Sequence, residues 1–169
     1  MTPEAPSSAH PPHGAHSTAN GDAALTPAAL AATHAAAFTG DRPWSAEEFA
    51  ALLSLAGMIL TGDARSFILG RVTLDEAEIL TIATRPDARR QGLARARLAQ
   101  FEDAAEIAGA TSVFLEVAAD NNPALALYQT SGYAQVGRRR GYYHRANAAP
   151  ADALVLGKPI LPPRHKDSS

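Results

Sequence analysis

Residues 84–98 read TRPDARRQGLARARL, and their reading organises the rest of the chain. Just before and into them, EAEILTIAT (76–84) is apolar and β-branched, as a strand is. Pro86 stops that run. After Gly92 a long helix is expected over 93–107, ending at Gly109, where a C-terminal glycine belongs. The next strand is SVFLEVA (112–118). A helical crossover between two strands of one sheet makes them parallel neighbours.

Working outward, LTPAALAATHAAAF (25–38) has Thr26 as cap and Pro27 at the first helical position. SAEEFAALLSL (45–55) opens on Ser45 with Glu48 three residues on, the capping-box pattern. GMILTG, RSFILGRVTLD and EAEILTIAT follow as an antiparallel meander, with GDA and LDEAE as its hairpin connections. Beyond 112–118, Asn122 and Pro123 start a short helix over 124–131, closed by Gly132. Two last strands are expected at 133–139 and 153–158, joined by the loop GYYHRANAAPAD. The order is α-α-β-β-β-α-β-α-β-β. It specifies a single α/β domain with a mixed, mostly antiparallel sheet flanked by helices and no internal repeat.

A chain of 169 residues suits one domain with a real core. Residues 1–24, rich in Pro, Ala, Ser and His, are expected to be a disordered tail, 25–160 the folded domain, and 161–169 a second tail. The first stretch lacks the apolar centre of a signal peptide, and no run approaches the length of a membrane span. His10, His13 and His16 lie in the tail, which pre-organises no metal site, so no metal is expected. With no cysteine, disulfides, thiolate zinc sites and a Cys nucleophile are excluded, and a reducing cytoplasm fits. Lys and Arg number 15 against 17 Asp and Glu, a net charge of −2 that argues against a general nucleic-acid binder.

The positive charge is local: Arg85, Arg89, Arg90, Arg95 and Arg97 cluster, and Arg138, Arg139 and Arg140 form a second group. A helix start carries free N–H groups and partial positive charge, and so attracts phosphate. Gly92 permits close backbone approach, and arginine grips phosphate bidentately. The turn therefore reads either as a pyrophosphate cradle or as a solvated turn before a helix with scattered arginines. Neither G-x-x-x-x-G-K-[ST] nor G-x-G-x-x-G occurs in the chain. What stands here is Arg89-x-x-Gly92-x-Ala94.

That pattern resembles the Q/R-x-x-G-x-G/A motif of the GCN5-related N-acetyltransferases, which bind acetyl-CoA by its pyrophosphate. EILTIATRPDARRQGLARARL, FLEVAADNNPALALYQTSGY and RRRGYYHR follow one another at the spacing of the bacterial ribosomal-protein-alanine N-acetyltransferases, and PWSAEEF resembles that family's early helix. The resemblance covers roughly residues 25–160. It implies acetyl-CoA as co-substrate, a protein or peptide N-terminus as acceptor, no direct nucleic-acid or membrane partner, and a cytoplasmic enzyme. The acceptor it implies is the N-terminal alanine of a small-subunit ribosomal protein.

The resemblance also assigns residues. It makes Arg89, Arg90, Gln91, Gly92, Leu93, Ala94 and Arg95 the phosphate turn. The backbone of Ile82, Ala83 and Thr84 would pair with the pantetheine amides, and Asn121 matches a CoA-contacting asparagine. Glu116 matches the general base and Tyr128 the general acid, while Tyr142 and Tyr143 match paired tyrosines at the peptide cleft. Acetyl transfer requires a neutral amine, and an α-amine with a pKa of about 8 gives up its proton more readily than a lysine near 10.4. On strand 112–118, Val113, Leu115 and Val117 face one way and Phe114 and Glu116 the other, which sets the carboxylate among apolar neighbours. Read without the family, Glu116 is equally a solvated strand residue, Tyr128 a packed helix aromatic, Asn121 a cap, and Tyr142 and Tyr143 strand aromatics.

Two positions depart from the family's pattern. Where LEVR-x-SN is common, this chain has Ala118 and Asp120, and Gly141 replaces the asparagine before the paired tyrosines. Both lie where the acceptor should enter, so an acceptor lysine or small amine stays open. A non-catalytic acyl-CoA-binding module also stays open, although binding alone needs neither Glu116 nor Tyr128. An RNA-binding basic helix is opposed by the acidic balance and the lack of interleaved aromatics.

Overall fold

A computed structural model describes residues 25–38 and 42–160; the two expected tails, with His10, His13 and His16, lie outside the described residues. The elements are α1 (Pro27–Ala37), α2 (Ala46–Leu53), β1 (Met58–Asp63), β2 (Ser66–Thr73), β3 (Glu76–Thr84), α3 (Leu93–Ile107), β4 (Ser112–Ala118), α4 (Asn122–Thr130), β5 (Ala134–Tyr143) and β6 (Ala151–Pro159). This is the succession expected from the sequence, with a short 3-10 turn, Pro86–Ala88, added after β3.

The caps are the ones the sequence specifies. Thr26 accepts from the Ala29 amide, and Ser45 and Glu48 complete a reciprocal capping box. At the far ends of α3 and α4 the chain closes in the same way. Gly109 and Gly132 take left-handed backbones, and the next residue, Ala110 or Tyr133, donates back to the carbonyl of Ala105 or Tyr128. The α4 closure has a consequence for the site, because it seats the Tyr133 ring edge-on against Tyr128 with centroids 6.0 Å apart.

The sheet has six strands in the order β1-β2-β3-β4-β6-β5. β3 and β4 are parallel, as the α3 crossover demands, and the other pairs are antiparallel. One face carries α3 and α4, whose Leu98, Phe101, Ala105 and Tyr128 pack with Ile79, Val113, Leu115, Val117, Leu154 and Leu156. On the other face, Leu30 of α1 and Phe49 of α2 pack against Phe67, Leu69 and Ala83. That second cluster draws on β2 and β3 and leaves Phe114 and Glu116 of β4 half-buried.

β5 differs from the expectation. The sequence places a loop from Gly141, yet the strand runs on to Tyr143, which pairs with Ala151. Gly141 has φ 59° and reads as a turn, but its amide donates to Asp152 Oδ1 at 2.9 Å, so the strand is irregular there and then resumes.

Candidate active site

The β3–β4 ladder is short. It pairs Glu76, Ala77, Glu78 and Ile79 with Ser112, Val113, Phe114 and Leu115, and then stops although both strands continue. β3 keeps its other neighbour: its pairing with β2 runs to Thr84 opposite Ser66. The register with β2 slips where the ladder fails, Leu69 facing Thr81 and Gly70 facing Ile79, so Leu80 is the extra residue of a bulge. A bulge adds twist and bends its strand. The end of β3 thereby turns away from β4, and its β4-side backbone groups open onto a gap in the sheet.

A cavity of about 1200 Å³ occupies the gap, lined by Leu80, Thr81, Ile82 and Thr84 on one side and Glu116, Val117 and Ala118 on the other. Arg90, Gly92, Leu93 and Ala94 at the start of α3 also line it, as do His34, Phe38 and Trp44 of the α1–α2 region. Asn121, Tyr128, Tyr143 and Arg145 complete the wall.

The start of α3 differs from the other helix starts. α1, α2 and α4 are capped by Thr26, Ser45 and Asn121, but the cap of α3 is Gly92, with no capping side chain. Gly92 sits at φ 72°, a backbone that L side chains rarely adopt, and a Cβ built there meets nothing within 4 Å. The conformation calls for glycine, and the space above it belongs to the cavity. The first bond of the helix is Ala96 N–H to Gly92 O at 3.1 Å, so the amides of Leu93, Ala94 and Arg95 precede any intrahelical acceptor. Arg90 holds the left-handed region too, at φ 62°. Successive amides in such a turn form an anion-binding concavity.

The arginines divide. Arg89 donates to Ala37 O at 3.1 Å and ties the turn to the end of α1. Arg95 donates to Thr130 Oγ1 at 2.7 Å and ties α3 to α4. Arg90 makes no ion pair or hydrogen bond with the described residues, so of the three charges it is the one that those residues do not engage.

Glu116 alternates out of the core as its strand pattern predicts: Val113, Leu115 and Val117 are buried and Glu116 is 25% exposed. Its environment is less apolar than the sequence implies, because Arg139 Nε of β5 stands 3.1 Å from Oε1. Tyr128 is buried, and its hydroxyl makes no hydrogen bond with the described residues. Burial, with Tyr143 adding to it, pushes the Tyr128 phenol up to about 12. Asp120 is held through both carboxylate oxygens by Arg145, which lines the cavity, and this pair lowers its titration. Among the described residues no group of His, Cys, Asp and Glu is placed to hold a metal.

A model of the Acetyltransferase (GNAT) family matches residues 28–133. The chain belongs to that family. Over 123 residues the acetyltransferase is 37% identical to the [ribosomal protein bS18]-alanine N-acetyltransferase of Escherichia coli, covering 70% of this chain and 82% of the relative. It is also similar to the crystal structure of the ribosomal-protein-S18-alanine N-acetyltransferase from Escherichia coli, with a TM-score of 0.72 and 31% identity over 85% of this chain and 92% of the other. The fold recurs in Arabidopsis thaliana NAA60 in complex with acetyl-CoA, with a TM-score of 0.67 at 19% identity over 80% of this chain and 93% of the other.

Most residues singled out in the acetyltransferase sequence meet at this cavity: Ile82, Thr84, Arg89, Arg90, Gly92, Leu93, Ala94, Arg95, Glu116, Asn121, Tyr128 and Tyr143 all line it. Three stand apart. Gln91 is exposed on the outer side of the turn, its amide 3.5 Å from Asp87 O. Ala83 buries its methyl in the α1–α2 core, which leaves only its backbone for a ligand. Tyr142 is half exposed beside the cavity, under the Arg139 guanidinium. Asn121 already caps α4, its Oδ1 accepting from the Ala124 amide at 3.3 Å, so its NH₂ is the group left for a ligand.

Sequence reasoning missed Arg139 and the wall formed by His34 and Trp44. Arg139 was visible in the run RRR, but its reach to Glu116 depends on β6 lying between β4 and β5. His34 was visible as a lone histidine in an alanine helix. Only the fold shows it stacked on Trp44, centroids 5.0 Å apart, with its Nδ1 accepting from the Trp44 amide at 3.1 Å.

Proposed function

We propose that this acetyltransferase moves the acetyl group of acetyl-CoA to the α-amine of a protein N-terminus, with Glu116 as general base and Tyr128 as general acid. The observation that carries the reading is one cavity shared by an uncapped helix start, a strand with a free edge, a carboxylate and a buried phenol. The amides of Leu93, Ala94 and Arg95, with Arg90, suit the diphosphate. The β4-side edge of Ile82, Ala83 and Thr84 suits the pantetheine amides as an added strand would. Acetyl-CoA, when bound, supplies the thioester.

An α-amine with a pKa of about 8 arrives mostly protonated at neutral pH. Glu116 takes its proton, the nitrogen bonds to the thioester carbonyl carbon and the carbon–sulfur bond breaks. Tyr128 gives its proton to the departing sulfur and takes back the second proton that the acylated nitrogen sheds, so the net proton released is the one held by Glu116. A phenol held near 12 keeps that proton at any ordinary working pH. Names of relatives, which print alanine and ribosomal protein S18, support an N-terminal alanine of that protein as the acceptor.

The test is turnover of acetyl-CoA with peptides beginning in Ala, Ser or Met and with a blocked peptide carrying an internal lysine. The alanine peptide is expected to be turned over best. Glu116→Gln and Tyr128→Phe are expected to lower the rate at unchanged CoA affinity. Turnover on lysine alone overturns the acceptor, and CoA binding with no turnover on any amine overturns the chemistry.

A further inference from the structure

Among the described residues Glu116 is held more loosely than most paired carboxylates, a looseness it shares with exposed Asp87, whose partner Arg85 stands 3.4 Å away. Glu48 is gripped by both nitrogens of Arg42, Asp120 by both of Arg145, and Glu102 accepts from Lys158 and Tyr133. Asp63 accepts from Arg97 at 2.8 Å and from two amides. Among the described residues Glu116 has one ion-pair partner, Arg139 Nε at 3.1 Å, and no aligned hydrogen bond to it.

The register explains how Arg139 arrives. Arg139 stands opposite Ala153 of β6, and Ala153 opposite Ala118 of β4, so one row across the three strands reads Arg, Ala, Ala. The two methyls leave the arginine stem free to lie along the sheet toward Glu116, two residues back on the same face of β4. In this same position Arg139 touches a second group. Its guanidinium carbon is 5.3 Å from the centroid of the Tyr142 ring, a face that attracts a cation by its quadrupole. Its side chain is 57% exposed, so leaving Glu116 strands no charge in the interior.

We propose that Arg139 is the resident cation of the acceptor subsite, occupying on Glu116 the place that the acceptor's α-ammonium takes on arrival, and that it yields this place while keeping its contact with the Tyr142 ring. This rests on the α-amine reading above. The consequence is selection by charge exchange: a substrate must bring its own cation to Glu116 to evict Arg139, and an acetylated product, having none, gives the carboxylate back.

The experiment is calorimetric titration of the full chain, saturated with CoA, with an alanine-starting peptide and with the same peptide N-acetylated. An exposed ion pair contributes up to about 1 kcal/mol, so Arg139→Gln is expected to bind the free-amine peptide about two- to fivefold more tightly. Its affinity for the acetylated peptide is expected to match that of the unmodified protein, and Arg139→Lys is expected to keep the unmodified behaviour toward both. Arg139→Gln binding the free amine no more tightly, or shifting both peptides equally, overturns the proposal. An unmodified protein that acetylates no peptide amine overturns the functional reading and this proposal with it. Turnover by the unmodified protein alongside an unchanged Arg139→Gln affinity overturns this proposal alone.

Discussion

Ile79 and Leu115 are the last two residues through which β3 and β4 pair, and beyond them the sheet opens. Gly70 lies directly across from Ile79 on β2, at the edge of the bulge that turns β3 aside. A Cβ at Gly70 would stand 2.4 Å from Phe101 Cζ of α3 and 2.5 Å from Glu78 O. The same spot thus sets the close approach of α3 to the sheet and the start of the cleft.

Gly70→Ala is therefore expected to destabilise the fold. Overpacking of this kind costs about 1–3 kcal/mol, which for a domain of this size lowers Tm by roughly 2–4 °C per kcal/mol. A thermal melt of the variant checks it. An unchanged Tm would mean that Phe101 gives way at no cost.

Gly92→Ala is expected to behave in the opposite manner. Its added methyl meets no protein atom, and the left-handed φ of 72° costs a non-glycine residue about 1–2 kcal/mol. Tm should fall modestly. CoA affinity should also fall, about tenfold, because the methyl enters the space above the α3 amides and disturbs hydrogen bonds to a charged group. Calorimetry with CoA beside a thermal melt separates the two effects. An unchanged CoA affinity beside the lowered Tm would sink the assignment of that space to a ligand.

The contrast between these glycines shows what the sequence could convey. Gly92 was legible because it sits between a strand signal and a helix signal, and its neighbours carry the family's motif. Gly70 lies inside a strand, and its constraint comes from Phe101, 31 positions on, through a contact that no local pattern encodes. The caps at Thr26 and Ser45, the closures at Gly109 and Gly132, and the inward face of β4 were legible for the same reason as Gly92: each is set by residues a few positions apart. Glu116 and Tyr128 were legible by resemblance. Their surroundings were not, because Arg139 and Tyr143 approach from strand β5, whose place beyond β6 is a property of the sheet.

Tyr128 carries a prediction for alkaline solution. Unfolded, it titrates near 10; folded, burial holds the phenol up to about 12. Above pH 10 the unfolded chain releases this proton before the native one does, so the contribution is complete below pH 10 and is lost as pH rises toward 12. Tyr133, raised by burial and by Glu102, acts in the same sense. Tyr128→Phe is expected to show a shallower fall of Tm between pH 9.5 and 11 than the unmodified protein. Identical slopes would mean that the Tyr128 hydroxyl is hydrated in the native state.

His34 sets the acidic counterpart. Its ring is buried among Phe38, Trp44 and Phe49, and burial lowers its titration below 6.5 against a weaker opposing effect of Glu48. Nδ1 accepts from the Trp44 amide, so a proton there would break the bond that holds Trp44 against the cavity. The unfolded chain takes up a proton near pH 6.5 while the native one still resists, so stability is full above that pH and drains as pH falls below it. Melts between pH 7.5 and 5.5 are expected to show this decline. His34→Phe keeps an aromatic ring at the position but leaves the Trp44 N–H without its acceptor, a loss of about 1 kcal/mol. It should therefore melt lower at pH 7.5 and yet change less on acidification. A variant slope as steep as the unmodified one would place the acid sensitivity elsewhere, and the wall at His34 and Trp44 would then be fixed by packing alone.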